Sequence, residues 1–199
     1  MHIIAGLYRN QRLSVPKGAE TRPTASRLRE SLFNICQGFI EGARFLDLFA
    51  GSGAIGLEAL SRGAAAVTFI DSSKEAIRCL KQNVAHLHVD SQCQIMQGQV
   101  FSLLEWLERH GKQFDIIFAD PPYKTADPLE RESQIWYSEK IIRWIDESPL
   151  LAPHGVLFVE EDARYQPNLL DLKKLQLKDN RRMGHTALQR YEWVSSSSE

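Results

Sequence analysis

Long apolar runs, paired cysteines and a strong net charge are all missing from this 199-residue chain. No stretch of about 18 apolar residues occurs, so no segment reads as a membrane span. The opening Met1-His2-Ile3-Ile4-Ala5-Gly6 lacks the apolar core of a secretory signal, and a cytoplasmic protein with no membrane partner is expected. Cys36, Cys79 and Cys93 form no CxxC pair, which removes a disulfide framework and leaves them as reduced, packed thiols. The six histidines have no Cys, Asp or Glu beside them at ligand spacing, so no metal is expected. No Gly-Lys-Ser/Thr follows a glycine loop, which argues against a phosphate-binding NTPase. The net charge of −1 offers no overall attraction to a polyanion.

What is present is a normal globular balance, 43% hydrophobic and 25% charged, in a length that suits one α/β domain. The charge is unevenly placed. Residues 1–31 carry Arg9, Arg12, Lys17, Arg22, Arg27 and Arg29 against Glu20 and Glu30, a net of +4, so the rest carries −5. A basic arm on an acidic body suggests a localised nucleic-acid contact. The expected division is a basic hairpin-and-helix extension over 1–40, a main domain over 41–194, and a disordered tail over 195–199 beginning at the serine run.

Two short strands, His2–Ala5 and Arg12–Val15, flank the polar turn Arg9-Asn10-Gln11, and Pro16 stops the second. After Pro23, apolar residues at Leu28, Leu32, Ile35, Cys36 and Phe39 predict an amphipathic helix. From residue 44 strands and helices alternate. Strands are expected at 44–49, 66–70, 94–96, 114–119 and 156–159; helices run to about Arg62, from a Ser72/Glu75 capping box, through Phe101–Leu107 and around Ile141–Ile145. Strands apolar on both faces imply a parallel sheet between helix layers. Leu172–Lys178 and Thr186–Val194 read as antiparallel strands around Gly184. The stripe Ile141, Ile142, Ile145 with Trp144 reads as core, and Trp136-Tyr137 as packing rather than a base-stacking pair.

The segment Asp47-Leu48-Phe49-Ala50-Gly51-Ser52-Gly53-Ala54-Ile55-Gly56 ends a strand, opens a helix and satisfies G-x-G-x-x-G. Glycines let backbone approach a ligand closely, and Asp71, twenty residues after Gly51, is placed to accept from ribose hydroxyls. This fits a nicotinamide dinucleotide as well as S-adenosylmethionine. Asp47 tilts the choice, because a carboxylate there attracts the cationic end of S-adenosylmethionine and repels a pyrophosphate.

Asp120-Pro121-Pro122-Tyr123 follows the fourth strand, at the edge where open α/β sheets bind ligands. Two prolines remove two donors and hold carbonyl groups rigidly, which suits a substrate that donates hydrogen bonds. The exocyclic amine of a nucleobase is such a substrate. Accepting its two N–H groups at Asp120 and a proline carbonyl favours a pyramidal nitrogen with its lone pair aimed at a methyl donor, while Tyr123 stacks on the base.

Asp47 through Gly63 together with Asp120-Pro-Pro-Tyr123 resembles the RsmD family, bacterial enzymes that methylate N2 of a guanine in 16S ribosomal RNA. Arg22-Pro23-Thr24 with Arg27, Arg29-Glu30 and Phe33-Asn34, the opening Ile3–Gly6 and the closing Gly184–Leu188 are similar to that family as well. The resemblance implies a Rossmann-like class I S-adenosylmethionine-dependent methyltransferase, monomeric, with a seven-stranded, mostly parallel sheet carrying helices on both faces. It implies a cofactor set of Arg22, Thr24, Asp47, Phe49, Gly51, Ser52, Gly53, Asp71, Gln99 and Asp120, and a catalytic set of Asp120, Pro121, Pro122 and Tyr123. Arg9, Arg12, Arg22, Arg27 and Lys124 are candidates for rRNA contact, and the partner is 16S rRNA or the small subunit, whole or partly assembled. Gln99 stands where an acidic residue commonly meets the adenine amine, and accepts through its carbonyl instead. Residues 124–137 are longer and more charged than expected of the family and are read as a substrate loop or an exposed insertion.

Three alternatives stay open. The tetrapeptide does not name its polymer, so a DNA or protein amine methyltransferase fits it. The glycine loop alone fits a nicotinamide-dependent oxidoreductase, although no Ser-x-x-x-Tyr-x-x-x-Lys set accompanies it. A non-catalytic RNA-binding factor would leave Asp120 and its neighbours unexplained.

Overall fold

The computed structural model describes residues 1–16, 23–122, 137–165, 167 and 169–194, with the side chains of residues 23–25 outside that description. The elements run α1 (Pro23–Cys36), β1 (Arg44–Leu48), α2 (Ala54–Ser61), β2 (Ala66–Asp71), α3 (Lys74–Leu87), β3 (Cys93–Gln97), α4 (Val100–Arg109), β4 (Phe114–Ala119), α5 (Tyr137–Glu147), β5 (Leu151–Asp162), β6 (Leu175–Met183) and β7 (Thr186–Trp193). The seven strands form one sheet in the order β3-β2-β1-β4-β5-β7-β6. β1 to β5 pair in parallel, and β7 is inserted antiparallel between β5 and β6.

The period of two along each strand explains the two layers. Phe45, Val67, Phe69, Ile116, Phe118, Val156 and Phe158 enter one core with Leu28 and Leu32 of α1, Leu57 of α2 and Leu80 and Val84 of α3. Their neighbours Leu46, Leu48, Ile70, Ile117, Leu157 and Val159 enter the other, against Leu104 and Leu107 of α4 and Ile141, Ile142 and Ile145 of α5. Strands buried on both faces therefore read as continuous apolar runs, as expected of a doubly covered sheet. Gly56 permits the close seat of α2. A Cβ there would stand 2.3 Å from the Phe69 ring and 2.7 Å from Val67.

Some local expectations change. The N-terminal hairpin has a single antiparallel bridge, His2 to Arg12, rather than two strands: backbone bonds join its two sides at Met1–Leu13 and at Ile3 with Asn10 and Gln11, but the Ile4, Ala5 and Ser14 N–H groups turn to α2 and α3. α1 stops at Cys36, leaving Phe39 41% exposed, while Phe33, outside the expected stripe, is fully buried. The cap of α3 is Ser73, not Ser72. The Asp71 carboxylate takes the Ser73 N–H at 2.8 Å, which starts the helix one residue later and gives Ser73 Oγ the Ala76 N–H at 3.2 Å. β5 extends well beyond Val156–Val159, and β6 begins at Leu175 rather than Leu172. The tail beyond Val194 and most of the 124–137 segment lie outside the described residues.

The N-terminal arm is attached by polar groups. Glu58 of α2, fully buried, accepts from the Ile4 and Ala5 N–H groups at 2.8 and 3.0 Å. Ser61 takes the Tyr8 N–H on its hydroxyl and the Leu7 N–H on its carbonyl. Gly6 makes this contact possible, since with φ +85 a Cβ would lie 1.8 Å from the Ser61 carbonyl oxygen. Ile3 and Leu13 of the arm then join the core beneath.

Candidate active site

Strand order reverses between β1 and β4, and the crevice outside their carboxyl ends is where such sheets take ligands. The loop after β1 and the tetrapeptide after β4 meet there. The Asp120 N–H donates to the Leu48 carbonyl at 3.5 Å, tying the two strand ends together. Phe49 holds φ 61, a conformation that costs a bulky residue of the order of 1–3 kcal/mol and that marks a site where the surrounding structure enforces it. It lines two cavities, one on each side.

The first cavity is lined by Asp47, Phe49, Gly51, Ser52 and Asp120, and also by Arg29 of α1 and Glu160 of β5. Asp47 is 1% exposed, and its Oδ2 accepts the Gly56 N–H at 2.9 Å. Burial pushes its carboxyl up to about 8; the Gly56 hydrogen bond opposes this, and the charges of Asp120 and Asp71 add to it. Arg29 is 3% exposed, donates from Nη2 to the His2 carbonyl at 2.8 Å, and places Nε 3.9 Å from Glu58. Its Nε and Nη1 have no hydrogen-bond partner. Burial lowers its pKa, while Glu58 opposes that shift. The cavity thus holds three carboxylate side chains and one guanidinium with donors to spare. An unsatisfied buried donor costs about 1–3 kcal/mol, so this arrangement fits a ligand carrying both a positive centre and a carboxylate.

The second cavity is lined by Phe49, Asp71, Ser72, Gly98, Gln99, Pro122 and Tyr137. Here shape and backbone dominate. Tyr137 meets Phe49 edge-on at 6.1 Å and stacks on Phe101 at 5.9 Å between ring centres. Asp71 already holds the loop, its Oδ2 accepting the Gly51 N–H and its Oδ1 the Ser73 N–H, each at 2.8 Å. Each oxygen keeps a second lone pair for a hydroxyl. Gln99 precedes α4 without capping it through its side chain, so its carboxamide is not spent on the helix. The two cavities suit the methionyl and the nucleoside ends of S-adenosylmethionine.

Asp47, Phe49, Gly51, Ser52 and Asp120 are brought to the first cavity, and Asp71 and Gln99 to the second. The tetrapeptide splits, with Asp120 on the first, Pro122 on the second and Pro121 buried between them. Gly53 starts α2 behind the loop and lines neither cavity. Arg9 and Arg12 are exposed on the arm and Arg27 on α1; none of the three lines either cavity, although Ser26 and Leu28 beside Arg27 line the first. Arg22, Tyr123, Lys124 and the Thr24 side chain lie outside the described residues. Among the described residues no cluster of His, Cys, Asp or Glu is arranged for a metal, and no helix is long and apolar enough to cross a membrane.

Sequence reading missed Arg29, Glu160 and the cavity position of Tyr137. Only Arg29 had a usable signal: Phe33 and Cys36 follow it at i+4 and i+7, which places it on a buried column.

A family model described as Conserved hypothetical protein 95 matches residues 1–192. The Ribosomal RNA small subunit methyltransferase D of Haemophilus influenzae is 36% identical over 166 residues, covering 81% of this chain and 79% of that one. Its counterpart in Escherichia coli K12 is 34% identical over 163 residues, covering 82% and 75%. The solved structure of the Escherichia coli protein yhhF superposes with a TM-score of 0.82 at 30% identity, covering 98% of this chain and 99% of that one. Motifs, topology and relatives agree: the chain belongs to the RsmD family of ribosomal RNA small subunit methyltransferases.

Proposed function

We propose that this protein methylates the exocyclic N2 amine of a guanine in 16S rRNA, using S-adenosylmethionine. The observation that carries the reading is Asp120, held at the end of β4 on the cavity that also contains the glycine loop and the under-satisfied Arg29. Bound S-adenosylmethionine supplies a sulfonium methyl that is already electrophilic. Arg29 receives its carboxylate, Asp47 with Glu160 offsets its positive charge, and Asp71 and Gln99 take the ribose hydroxyls and the adenine amine. Asp120 and the Pro121 carbonyl accept the two N–H groups of the guanine amine and turn its lone pair toward the methyl. Asp120 then holds the proton that the nitrogen sheds. Positioning and electrostatics supply most of the rate.

Residues 41–194 form the catalytic domain in this reading. Residues 1–40 form its RNA-contacting extension, with Arg9, Arg12, Arg22 and Arg27 contacting phosphates alongside Lys124, with Thr24 in the cofactor set and with Tyr123 stacking on the base. The enzyme works as a cytoplasmic monomer on 16S rRNA, free or within a small subunit.

Transfer of labelled methyl to unmodified small subunits, free 16S rRNA, duplex DNA and protein, followed by nucleoside analysis, tests the reading. N2-methylguanosine at a single site in 16S rRNA is expected. Label confined to DNA or protein would overturn the substrate, and absent S-adenosylmethionine binding would overturn the reaction.

A further inference from the structure

Exposed basic side chains fall into two groups in this molecule. Arg44, Arg109, Arg143, Arg164, Lys173 and Arg181 each face a carboxylate in an ion pair. Lys74, Arg78 and Lys81 of α3 make no ion pair among the described residues, and neither do Arg9 and Arg12 of the arm or the more scattered Arg27, Lys112, Lys174, Lys178 and Arg182. The α3 residues stand at i, i+4 and i+7, one line along the exposed face of the helix, while Ile77, Leu80 and Val84 fill the buried face. At 1.5 Å per residue the line is about 10 Å long. Glu75, exposed in the same first turn, leaves the ridge at a net +2.

The arm is fastened to this same helix. Asn83, 1% exposed, accepts the Ser14 N–H at 2.8 Å and donates to the Ser14 carbonyl at 3.0 Å and to the Ser52 carbonyl of the glycine loop at 2.9 Å. Asn83 stands nine residues after Lys74, on the buried side of α3 and opposite the ridge, so the arm and the ridge lie on different sides of the helix. The ridge begins at Lys74, just past Asp71 and Ser72 on the rim of the second cavity.

We propose that Lys74, Arg78 and Lys81 form a phosphate track that leads the rRNA backbone toward the active site. This rests on the rRNA reading above. The exposed residues of α3 are Lys74, Glu75, Arg78, Lys81, Gln82, Ala85 and His86, with no large apolar side chain to enter a bilayer, so the surface favours a nucleic-acid backbone over a lipid headgroup.

The test measures binding to a 16S rRNA transcript across roughly 50–200 mM salt for three proteins. These are the wild type, Lys74→Gln/Arg78→Gln/Lys81→Gln, and a control with the same charge change elsewhere, Lys112→Gln/Lys174→Gln/Lys178→Gln. The track variant is expected to lose about 2 units of slope in log affinity against log salt, at roughly 0.7–0.9 per phosphate contact. Its S-adenosylmethionine affinity, thermal midpoint and turnover at saturating RNA should stay at wild-type values, and the control should keep the wild-type slope. Arg78→Gln alone should lose about a third of the effect. A wild-type slope in the track variant, or an equal loss in the control, overturns the track and leaves the rRNA reading intact. Loss of binding to phosphatidylserine vesicles with an unchanged RNA slope would reassign the ridge to lipid. A wild-type protein that binds S-adenosylmethionine but no RNA overturns both readings.

Discussion

The two cavities flanking Phe49 solve different problems with different groups. The first concentrates charge, with Asp47, Asp120 and Glu160 facing Arg29. The second offers aromatic faces and neutral acceptors around Phe49, Tyr137 and Gln99, with Asp71 already committed to the loop backbone. A buried charge is costly unless a ligand completes it, so the first cavity should be sensitive to pH and intolerant of substitution. The second, resting on packing and neutral hydrogen bonds, should respond by smaller amounts.

The largest effect is expected at Asp120. Asp120→Ala should lower turnover by a factor on the order of 10²–10³, as removal of one preorganised acceptor does, while S-adenosylmethionine affinity stays within a few-fold. Single-turnover methyl transfer and calorimetry separate the two, and turnover near wild type would remove Asp120 from the chemistry.

Asp47 comes next. Its carboxyl is raised from 3.8 to about 8 in the unliganded protein, first by burial. A cationic ligand favours the ionised form, so binding below pH 8 must release a proton. Affinity for S-adenosylmethionine should therefore climb from pH 6 to pH 8, by up to about tenfold per unit, and level off above. Stability runs the other way. A folded-state pKa above the unfolded value gives a contribution that is complete below 3.8 and is lost as pH rises through about 8. Asp47→Asn should flatten the binding profile, weaken binding, and raise the thermal midpoint of the free protein at pH 8. A variant that keeps the sloping profile would show that another group titrates.

In the second cavity, Tyr137→Ala should weaken S-adenosylmethionine binding by about tenfold through lost contact with Phe49 and Phe101, with no change in pH dependence. The smallest effect belongs to Gln99. Removing one neutral hydrogen bond with Gln99→Ala should cost about 1 kcal/mol, or roughly fivefold in affinity. If Gln99→Ala proved worse than Asp47→Asn at pH 8, the division between a charge-reading and a shape-reading cavity would fail.

The arm shows the same contrast between apolar and polar attachment. Apolar packing holds the helices to the sheet without strict direction, whereas Glu58, Ser61 and Asn83 fix the arm through individual backbone groups. Polar attachment of that kind has no periodicity. Glu58 and Asn83 look in the sequence like any polar residue of a helix, and only their burial, 0% and 1%, reveals the contact.

Periodicity and motif spacing carried the layered parallel sheet, the antiparallel pair at its end, the glycine loop and the place of Asp120. These are local properties: the apolar period follows backbone geometry, and a glycine loop or a proline pair constrains its own few residues wherever it stands. Tertiary structure alone decided that Arg29, from α1, and Glu160, from β5, share a cavity with Asp47 and Asp120. It also decided that Tyr137 packs against Phe49, and that one asparagine joins the arm to the loop. Those contacts join residues from about 20 to 130 positions apart, and a side chain's burial and charge environment depend on what the fold brings to it across that distance.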